Sequence, residues 1–295
     1  MKKRMILPHI LLAVLVAAIL LLPNNRTTTR EPWAFLVAIL LMEGLYLWKT
    51  RQGKPGASGS MILVWLLLLV WELSTSVWNV AHPVLIPSPE NVFDTFRQQW
   101  QVMLLNVGYS MALLFTGFSI GMAAAVALGL AAGWNTRLGE TVEPIANVLA
   151  PIPPVVISPY LVALLPTFRS ASVAVVVLGV FFPTCLTTIQ RVRAIDPGIL
   201  DLIKTLKPRF FPLVGQILLP SILPGIISGL KVSLTTSLLM LNFAELMGAT
   251  HGMGYYIQNA ITYANYTHAV AGILVIGMVV TVLNKLVGWI QKTVL

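Results

Sequence analysis

Long apolar runs separated by short polar segments are the main pattern along this chain. A membrane-spanning helix needs about 20 mainly apolar residues, and eight runs approach or exceed that length. They cover residues 5–22, 33–48, 61–80, 106–133, 144–165, 171–190, 221–246 and 268–290. The pattern predicts an all-α, polytopic membrane protein with about eight transmembrane helices.

The composition supports this class of protein. Charged residues make up 10% of the 295 residues, against about 25% in soluble domains. The single cysteine, Cys185, excludes an intramolecular disulfide and a cysteine-based metal cluster. The four histidines lack the spacing of metal ligands, so we expect no metal site.

The distribution of charge predicts an orientation in the membrane. With the N-terminus placed in the cytoplasm, fifteen of the nineteen Lys and Arg residues fall in inside segments, as the positive-inside rule requires. The four outside are Arg26, Arg30, Arg97 and Arg169. We therefore expect both termini in the cytoplasm, and the net charge of +9 reflects topology rather than nucleic-acid binding.

The first 60 residues are predicted to form a separate part of the chain. Their basic start and apolar core are similar to a secretory signal peptide, but no small-x-small cleavage site follows the core. A retained first span is favoured, with a removed signal peptide as the alternative. The stretch RQGKPGASGS is a linker of the flexible type. We predict a two-helix transmembrane extension over residues 1–60 and a second domain over residues 61–295.

An amphipathic segment follows the third apolar run. Ser88 can cap a helix that begins at Pro89, and Val92, Phe93 and Phe96 share one face of that helix. We expect this helix to lie along the outer membrane surface or under a partner.

Two of the runs carry a ridge of small residues at every fourth position. Such a ridge lets helix backbones approach closely where lipid provides no hydrophobic drive. The ridges are Gly117, Gly121, Ala125, Gly129 and Gly133, and Ser221, Gly225, Gly229, Ser233 and Ser237. Both predict close helix packing in a compact bundle.

The run at 144–165 is rich in proline. Pro151, Pro153 and Pro154 each remove a helical hydrogen bond, so we expect no continuous helix there. Irregular backbone at membrane depth persists only where protein or a water-filled cavity satisfies its polar groups. The segment therefore either lines a transport pathway or belongs to a kinked packing helix.

Polar side chains inside the apolar runs are functional candidates because their burial is costly. Glu43, Glu72 and Glu245 are the carboxylates among them. For Glu43 and Glu72 the alternative is a structural role, and Glu245 either belongs to a pathway or gate or makes a hydrogen bond at a helix end. Thr235 and Asn242 either present polar groups to a cavity or bond to nearby backbone.

Residues 201–220, DLIKTLKPRFFPLVGQILLP, are too polar to span a membrane and too apolar for an ordinary loop. Asp196 is expected to cap a short helix before this stretch, and Lys207–Pro208 should end that helix. A second short helix would then carry one apolar stripe, formed by Phe210, Leu213, Val214 and Ile217. A cytoplasmic helix of this kind suits a groove on another protein or the membrane surface.

This stretch resembles the EAA loop of ABC-importer permeases, whose pattern is EAA, three residues, Gly, nine residues and Ile-x-Leu-Pro. Asp201, Leu202 and Ile203 stand at the EAA positions, and Lys207 stands at the glycine. The end of the pattern is matched by Ile217, Leu219 and Pro220. Asp201 is a conservative replacement for Glu, whereas Leu202, Ile203 and Lys207 depart from the pattern.

Further segments resemble the nitrate/sulfonate/taurine branch of these permeases and occur in the same order. They are LIPSPENV (85–92), APIPPVVISPYLV (150–162), FFPTCLTTIQRVRAID (181–196) and AELMGATHGMGYYIQNA (244–260). Together the resemblance covers residues 61–295, the predicted permease domain.

The resemblance implies a permease subunit of an ATP-driven importer in the cell membrane, rather than an enzyme. Its partners would be cytoplasmic ATPase subunits, an extracytoplasmic binding protein and a second permease copy, with residues 191–220 as the ATPase-coupling loop. The chain has no G-x-x-x-x-G-K-[ST] loop, so ATP is expected to bind the partner, and no cofactor is expected here. The coupling residues would be Asp201, Leu202, Ile203, Lys207, Phe210, Ile217, Leu219 and Pro220.

The implied solute is a small anion of the nitrate, sulfonate or taurine type, and a vitamin or pyrimidine precursor is the alternative. Two other classes of protein compete with this interpretation. A proton-coupled secondary transporter would use the intramembrane glutamates, but we see no inverted repeats. A membrane-embedded hydrolase would need a Ser/His/Asp or metal constellation, and none is evident in the sequence.

Overall fold

The computed structural model describes residues 2–26, 32–52, 56–196 and 212–294, together with residues 198, 199, 203, 205 and 209. Every regular element of these residues is a helix, which confirms the all-α prediction. The helices are α1 (Lys2–Leu21), α2 (Trp33–Arg51), α3 (Ala57–Glu72), α4 (Pro89–Trp134), α5 (Thr136–Leu149), α6 (Ser158–Leu164), α7 (Phe168–Arg193), α8 (Leu219–Leu246), α9 (Met253–Thr262) and α10 (Tyr266–Val294). Wider π-helical turns extend α3 through Leu73–Val77 and precede α8 at Leu213–Leu218.

Six helical stretches in the described residues are long and apolar enough to cross a membrane. They are Trp33–Arg51, Ala57–Val77, Pro89–Trp134, Phe168–Arg193, Leu213–Leu246 and Tyr266–Thr293. The first predicted span is a shorter apolar helix, Ile6–Leu21. The fifth predicted span is divided between α5, a 3-10 turn at Pro154–Val156 and α6, because its prolines interrupt the helical hydrogen bonds.

The described residues fall into two compact units. The first comprises Met1–Leu104 and Tyr256–Val275, and the second comprises Leu105–Tyr255 and Ile276–Leu295. The boundary that we predicted between residues 60 and 61 stays a prediction.

The first unit is built around the aromatic and aliphatic faces of α1, α2 and α3. Leu15, Ile39 and Trp65 are buried together in its core. The apolar face of the amphipathic segment at the start of α4 belongs to this core, since the rings of Phe93 and Phe35 stack at 5.0 Å. The helix thus begins at Pro89 as predicted, and α2 covers part of the face that we expected to lie on the membrane surface or under a partner.

The cap that we predicted for this helix is not made by the side chain of Ser88. The Ser88 hydroxyl is buried without a hydrogen-bond partner among the described residues. The Ser88 carbonyl instead accepts the N–H of Val92 at 3.2 Å, the backbone bond that starts the helix.

Helix α4 bends at Gln99, where φ is −117° and ψ is 16°. The Tyr256 hydroxyl donates a 2.9 Å hydrogen bond to the Gln99 side-chain oxygen, and the His268 ring lies 3.4 Å from the Gln99 amide nitrogen. Within the first unit, this bend separates the amphipathic segment from the apolar span that follows it.

The second unit contains the first small-residue ridge, and its packing confirms the prediction. A Cβ atom at Gly117, Gly129 or Gly133 would lie 2.6–2.7 Å from the Cβ of a residue on α7, a separation too short for two carbon atoms in contact. Helices α4 and α7 therefore pack backbone against backbone along this ridge.

The second ridge is different. Ser221 and Gly229 are exposed, and nothing lies within 4 Å of a Cβ at Gly229. Gly225 is covered by the Arg191 guanidinium. The close packing that we predicted for this ridge is therefore wrong at Ser221 and Gly229, as far as the described residues show.

Candidate functional site

The segment that follows α7 carries the predicted coupling loop. Asp196 caps its first turn as predicted, because Asp196 Oδ1 accepts the N–H of Gly198 at 2.7 Å. Of the coupling residues, Asp201, Leu202, Lys207 and Phe210 lie outside the described residues. The described members are Ile203, Ile217, Leu219 and Pro220.

The described residues of this segment pack against α4 and α7 within the second unit. Ile203, Leu213 and Leu218 are buried in one cluster with Leu130 of α4 and Val192 of α7. The π-helical turn then continues into α8 without a break. Pro220 is exposed in the first turn of α8, so the Ile-x-Leu-Pro motif leads the chain into a spanning helix.

This packing corrects our interpretation of the apolar stripe. We expected Leu213, Val214 and Ile217 to face a groove on another protein or the membrane surface. Leu213 is buried, and Val214 and Ile217 pack against the same internal cluster. The chain itself thus covers Leu213 and part of Val214 and Ile217, and the exposed side chains of the segment include Arg209 and Gln216.

The proline-rich segment connects α5 and α6 by irregular backbone, which confirms the predicted break. Pro151 and Pro153 are exposed, whereas Pro154 is buried and lies about 3.5 Å from a Cβ position on Gly179 of α7. Hydrogen bonds from Val156 to the Pro153 carbonyl and from Ile157 to the Pro154 carbonyl, both 3.0 Å, form the short 3-10 turn. A role of this segment in a pathway stays a prediction.

Helix α8 carries the other three predicted pathway residues. The Thr235 hydroxyl lies 2.9 Å from its own helix at the Lys231 carbonyl and 3.1 Å from Asn284 Oδ1 of α10. Both polar atoms of the Asn242 amide are buried without a hydrogen-bond partner among the described residues. Asn242 is one of the residues that line a cavity of about 10 Å³, room for about one water molecule.

Glu245 is the centre of a buried hydrogen-bond network at the end of α8. Its carboxylate accepts the Ser110 hydroxyl at 2.7 Å and the Gly254 N–H at 2.8 Å. The Ser110 oxygen in turn accepts the Met253 N–H at 2.9 Å, and Asn106 Oδ1 accepts the Gly252 N–H at 2.8 Å. Three successive backbone donors of the α8–α9 turn are therefore held by side chains.

The backbone of this turn requires glycine at the point where it meets the carboxylate. Gly252 has a φ of 116°, a conformation that other residues rarely adopt. A side chain at Gly252 would also collide with the Glu245 carboxyl group. The geometry favours the helix-end alternative for Glu245, since one carboxylate oxygen accepts the Gly254 N–H of the turn and the other accepts the Ser110 hydroxyl, whose oxygen in turn holds the Met253 N–H.

Ser110 and Asn106 were not among the predicted site residues. They lie four residues apart and so share one face of α4, which is a polar pair in an otherwise apolar run. The spacing of these two polar residues indicated a buried hydrogen-bond network, but it did not identify the residues that they bond.

The other two intramembrane carboxylates have partners within the first unit. His9 Nδ1 lies 3.1 Å from Glu43 Oε1, which links α1 to α2. Glu72 is buried beside Ser76 and Glu90, and the Ser76 hydroxyl donates to Glu90 at 3.0 Å. Glu90 also accepts the Asn24 amide at 2.6 Å, so the turn after α1 is bonded to the first turn of α4.

Comparison with known proteins gives the family of the chain. Residues 117–294 match the family described as "Binding-protein-dependent transport system inner membrane component". A putative aliphatic sulfonates transport permease protein of Bacillus subtilis is 24% identical over 84% of this chain and 90% of its own length. A nitrate import permease protein of Leptolyngbya laminosa is 26% identical over 92% of this chain and 96% of its own length.

Two further comparisons agree with these. The taurine transport system permease protein of Escherichia coli is 26% identical over 74% of this chain and 82% of its own length. In a solved structure, inward-facing conformations of the MetNI methionine ABC transporter, one chain shares the fold with a TM-score of 0.56 at 17% identity. The match covers 67% of this chain and 96% of that one.

The family match covers more than half of the chain and includes the ridge of α4, the described part of the coupling segment, and Glu245 with the turn that follows α8. Members of this family are membrane components that work with a separate ATPase and a substrate-binding protein. The chain therefore belongs to the binding-protein-dependent ABC-importer permeases, as a multi-pass, non-catalytic subunit of the cell membrane.

Proposed function

We propose that this permease imports a small anion of the sulfonate, nitrate or taurine type, which an extracytoplasmic binding protein delivers. The observation that carries this proposal is the set of relatives named for aliphatic sulfonates, nitrate and taurine, each matched over about three quarters of this chain or more. ATP is bound and hydrolysed by the partner ATPase, and this chain needs no cofactor.

A second candidate solute is a pyrimidine precursor. It is favoured by the formylaminopyrimidine transport permease protein of Halalkalibacterium halodurans, which is 25% identical over 67% of this chain. That match is shorter than the three above, so the anion is preferred.

Import by reconstituted complexes tests both candidates. The permease is purified with its ATPase, placed in proteoliposomes with its binding protein, and offered taurine, nitrate, an alkanesulfonate or formylaminopyrimidine. We expect ATP-dependent uptake of at least one of the three anions. Uptake of the pyrimidine alone would overturn the anion assignment, and uptake that needs a proton gradient but no ATP would overturn the importer class.

The coupling segment, residues 191–220, is proposed to contact the ATPase. Resemblance to the EAA loop supports this role for Asp201 and Phe210. Arg209 and Gln216 are exposed in the described part of the segment, so their side chains are accessible to a partner. Replacing Asp201 with Lys or Phe210 with Glu should uncouple ATP hydrolysis from uptake while the protein stays in the membrane. Normal uptake together with normal co-purification of the ATPase would contradict the proposal.

We also propose that a second copy of the chain completes the pathway, with α8 at the contact. One face of α8 is exposed along its length, and the small residues at its start allow close approach of another helix. The face consists of Ser221, Gly229, Val232, Thr236, Leu239 and Phe243.

Disulfide cross-linking tests this contact. In a Cys185→Ser background, Gly229→Cys should form a cross-linked dimer. Gly277→Cys on α10 is the matched control, since that glycine also has nothing within 4 Å. Equal cross-linking at both positions would count against a specific α8 contact.

The pathway itself is proposed to run beside the proline-rich segment and α8. Pro151, Pro153 and Pro154 supply irregular backbone of the kind found in transport pathways, and Thr235 and Asn242 supply polar groups on α8. Glu245 is proposed to act indirectly, by holding the turn after α8.

A further inference from the structure

Helix α5 is attached firmly to the end of α4. The Asn135 side chain accepts the N–H of Leu138 at 3.2 Å and so caps the first turn of α5. The Asn135 N–H donates to the Ala131 carbonyl of α4 at 2.9 Å. One residue therefore ends the first helix and begins the second.

A second attachment joins α5 to the end of α7. Arg193, the last residue of α7, forms an ion pair with Glu143 of α5. Gly139, one turn before Glu143, leaves the space that the Arg193 guanidinium occupies, since a Cβ there would collide with it. The guanidinium thus lies over a gap in the surface of α5 and reaches the carboxylate beyond it.

Each residue of this ion pair lies close, along the chain, to a segment with a predicted role in transport. Arg193 lies at the start of the coupling segment, residues 191–220, three residues before Asp196, which caps the next turn. Glu143 lies on the helix that leads directly into the proline-rich segment at Pro151–Pro154.

Leu213 and Val214, further along the coupling segment, face the first turn of α5 across a gap. An apolar cavity of about 500 Å³ lies between them, bordered by Asn135 and Leu138 on one side and by Leu213 and Val214 on the other. Leu138 and Val142 of α5 pack against the cluster that contains Cys185 and Ile189 of α7. The Arg193–Glu143 pair therefore adds a polar link, at the end of α7, to an apolar contact between the two helices.

We propose that Arg193 and Glu143 are positioning residues that make α5 move together with the start of the coupling segment. Motion of the coupling segment is passed in this way to the proline-rich segment. The inference rests on the proposed function, in that residues 191–220 receive the ATPase. Exposed ion pairs add little to stability, and the Arg193 and Glu143 side chains are 41% and 26% exposed, so their loss should change coupling rather than folding.

Charge reversal tests the proposal in proteoliposomes that contain the complete importer. The quantity measured is the ATP hydrolysed for each anion imported. Arg193→Glu and Glu143→Arg should each raise this ratio by about two- to fivefold, the factor that corresponds to an exposed ion pair. The double variant, with the charges exchanged, should return close to the wild-type ratio.

Matched controls separate the ion pair from a general effect of charge. Arg137→Glu and Glu140→Arg make the same charge changes at exposed positions of α5 and should leave the ratio unchanged. A changed ratio in normally assembled complexes is the readout that a merely structural role would not produce, and recovery in the double variant shows that the two side chains act as a pair.

The outcomes are distinguishable from failure of the proposed function. If the wild type imports no anion with ATP, the proposed function is wrong. If the wild type imports it and the single variants keep the normal ratio, or the double variant does not recover, only the positioning role is overturned. Should a charge reversal prevent assembly, Arg193→Gln and Glu143→Gln remove the pair without reversing charge and are judged by the same ratio.

Discussion

Replacing Glu245 with alanine is the change that best separates a pathway role from a structural one. In the native chain the carboxylate accepts the Ser110 hydroxyl at 2.7 Å and the Gly254 N–H at 2.8 Å, and the residue is 1% exposed. Alanine would leave these two buried donors without an acceptor. Each such donor costs about 1–3 kcal/mol, so the free energy of unfolding should fall by about 2–6 kcal/mol.

Two milder variants grade the effect. Glu245→Gln keeps one acceptor oxygen and should cost about half as much, roughly 1–3 kcal/mol. Ser110→Ala removes one donor to Glu245 and the acceptor of the Met253 N–H, so it should cost a similar amount. The control is Ser228→Ala on the same helix, because the exposed Ser228 hydroxyl only bonds its own helix at the Gly225 carbonyl. That change should stay within about 0.5 kcal/mol.

Thermal or denaturant unfolding of the purified permease measures these differences, and uptake into proteoliposomes is measured in parallel. Under our interpretation, uptake falls only as far as the folded fraction falls. If Glu245→Ala abolishes uptake while the free energy of unfolding stays within about 0.5 kcal/mol of the wild-type value, Glu245 belongs to the pathway. The structural role that we assign to it is then refuted.

Three further predictions concern packing and the first unit. Gly129→Ala should lower the free energy of unfolding by about 1–3 kcal/mol. On the same helix nothing lies within 4 Å of a Cβ at Gly108, so Gly108→Ala should be neutral or slightly stabilising. Equal free energies of unfolding for the two variants would count against the α4–α7 contact. Asn24→Ala removes the donor to buried Glu90 and should lower the free energy of unfolding by about 1–3 kcal/mol. Asn25→Ala is the control and should have a smaller effect, because it removes only an exposed hydrogen bond to the Val77 carbonyl. Thermal unfolding measures both. Burial raises the pKa of Tyr256 to about 12, above its ordinary value of about 10. The unfolded phenol thus ionises first, so stability should be level below pH 10 and fall as pH rises through about 10–12. Tyr256→Phe should weaken that fall, and an unchanged pH profile in Tyr256→Phe would exclude this residue as its cause.

Those features that depend on short-range pattern could be predicted from the sequence. Apolar run length predicted eight spans, and six of them are long enough to cross a membrane in the described residues, because the bilayer thickness sets a minimum length. The spacing from Gly117 to Gly133 gave the close helix contact, and Pro151–Pro154 gave the break, since each depends on the chemistry of nearby residues alone.

What could not be predicted depends on which distant surfaces meet. An apolar stripe such as that of Leu213 and Val214 is expected to be buried. Its periodicity does not show whether the chain itself or a partner protein buries it. The same limit applied to Phe93, which stacks on Phe35 of the N-terminal helices. The Glu245 network joins residues 135 positions apart in the chain, and no local pattern specifies such a pairing.

The ridge on α4 also limits how the permease can change shape. From Gly117 to Gly133 the helix rises about 24 Å at 1.5 Å per residue, most of the roughly 30 Å of a bilayer's hydrocarbon core. Backbone contact along that length leaves α4 and α7 almost no room to tilt or slide against each other without losing contacts at one end. The pair should therefore travel as one rigid body during transport, and the relative motion that opens and closes a pathway must occur at elements outside it.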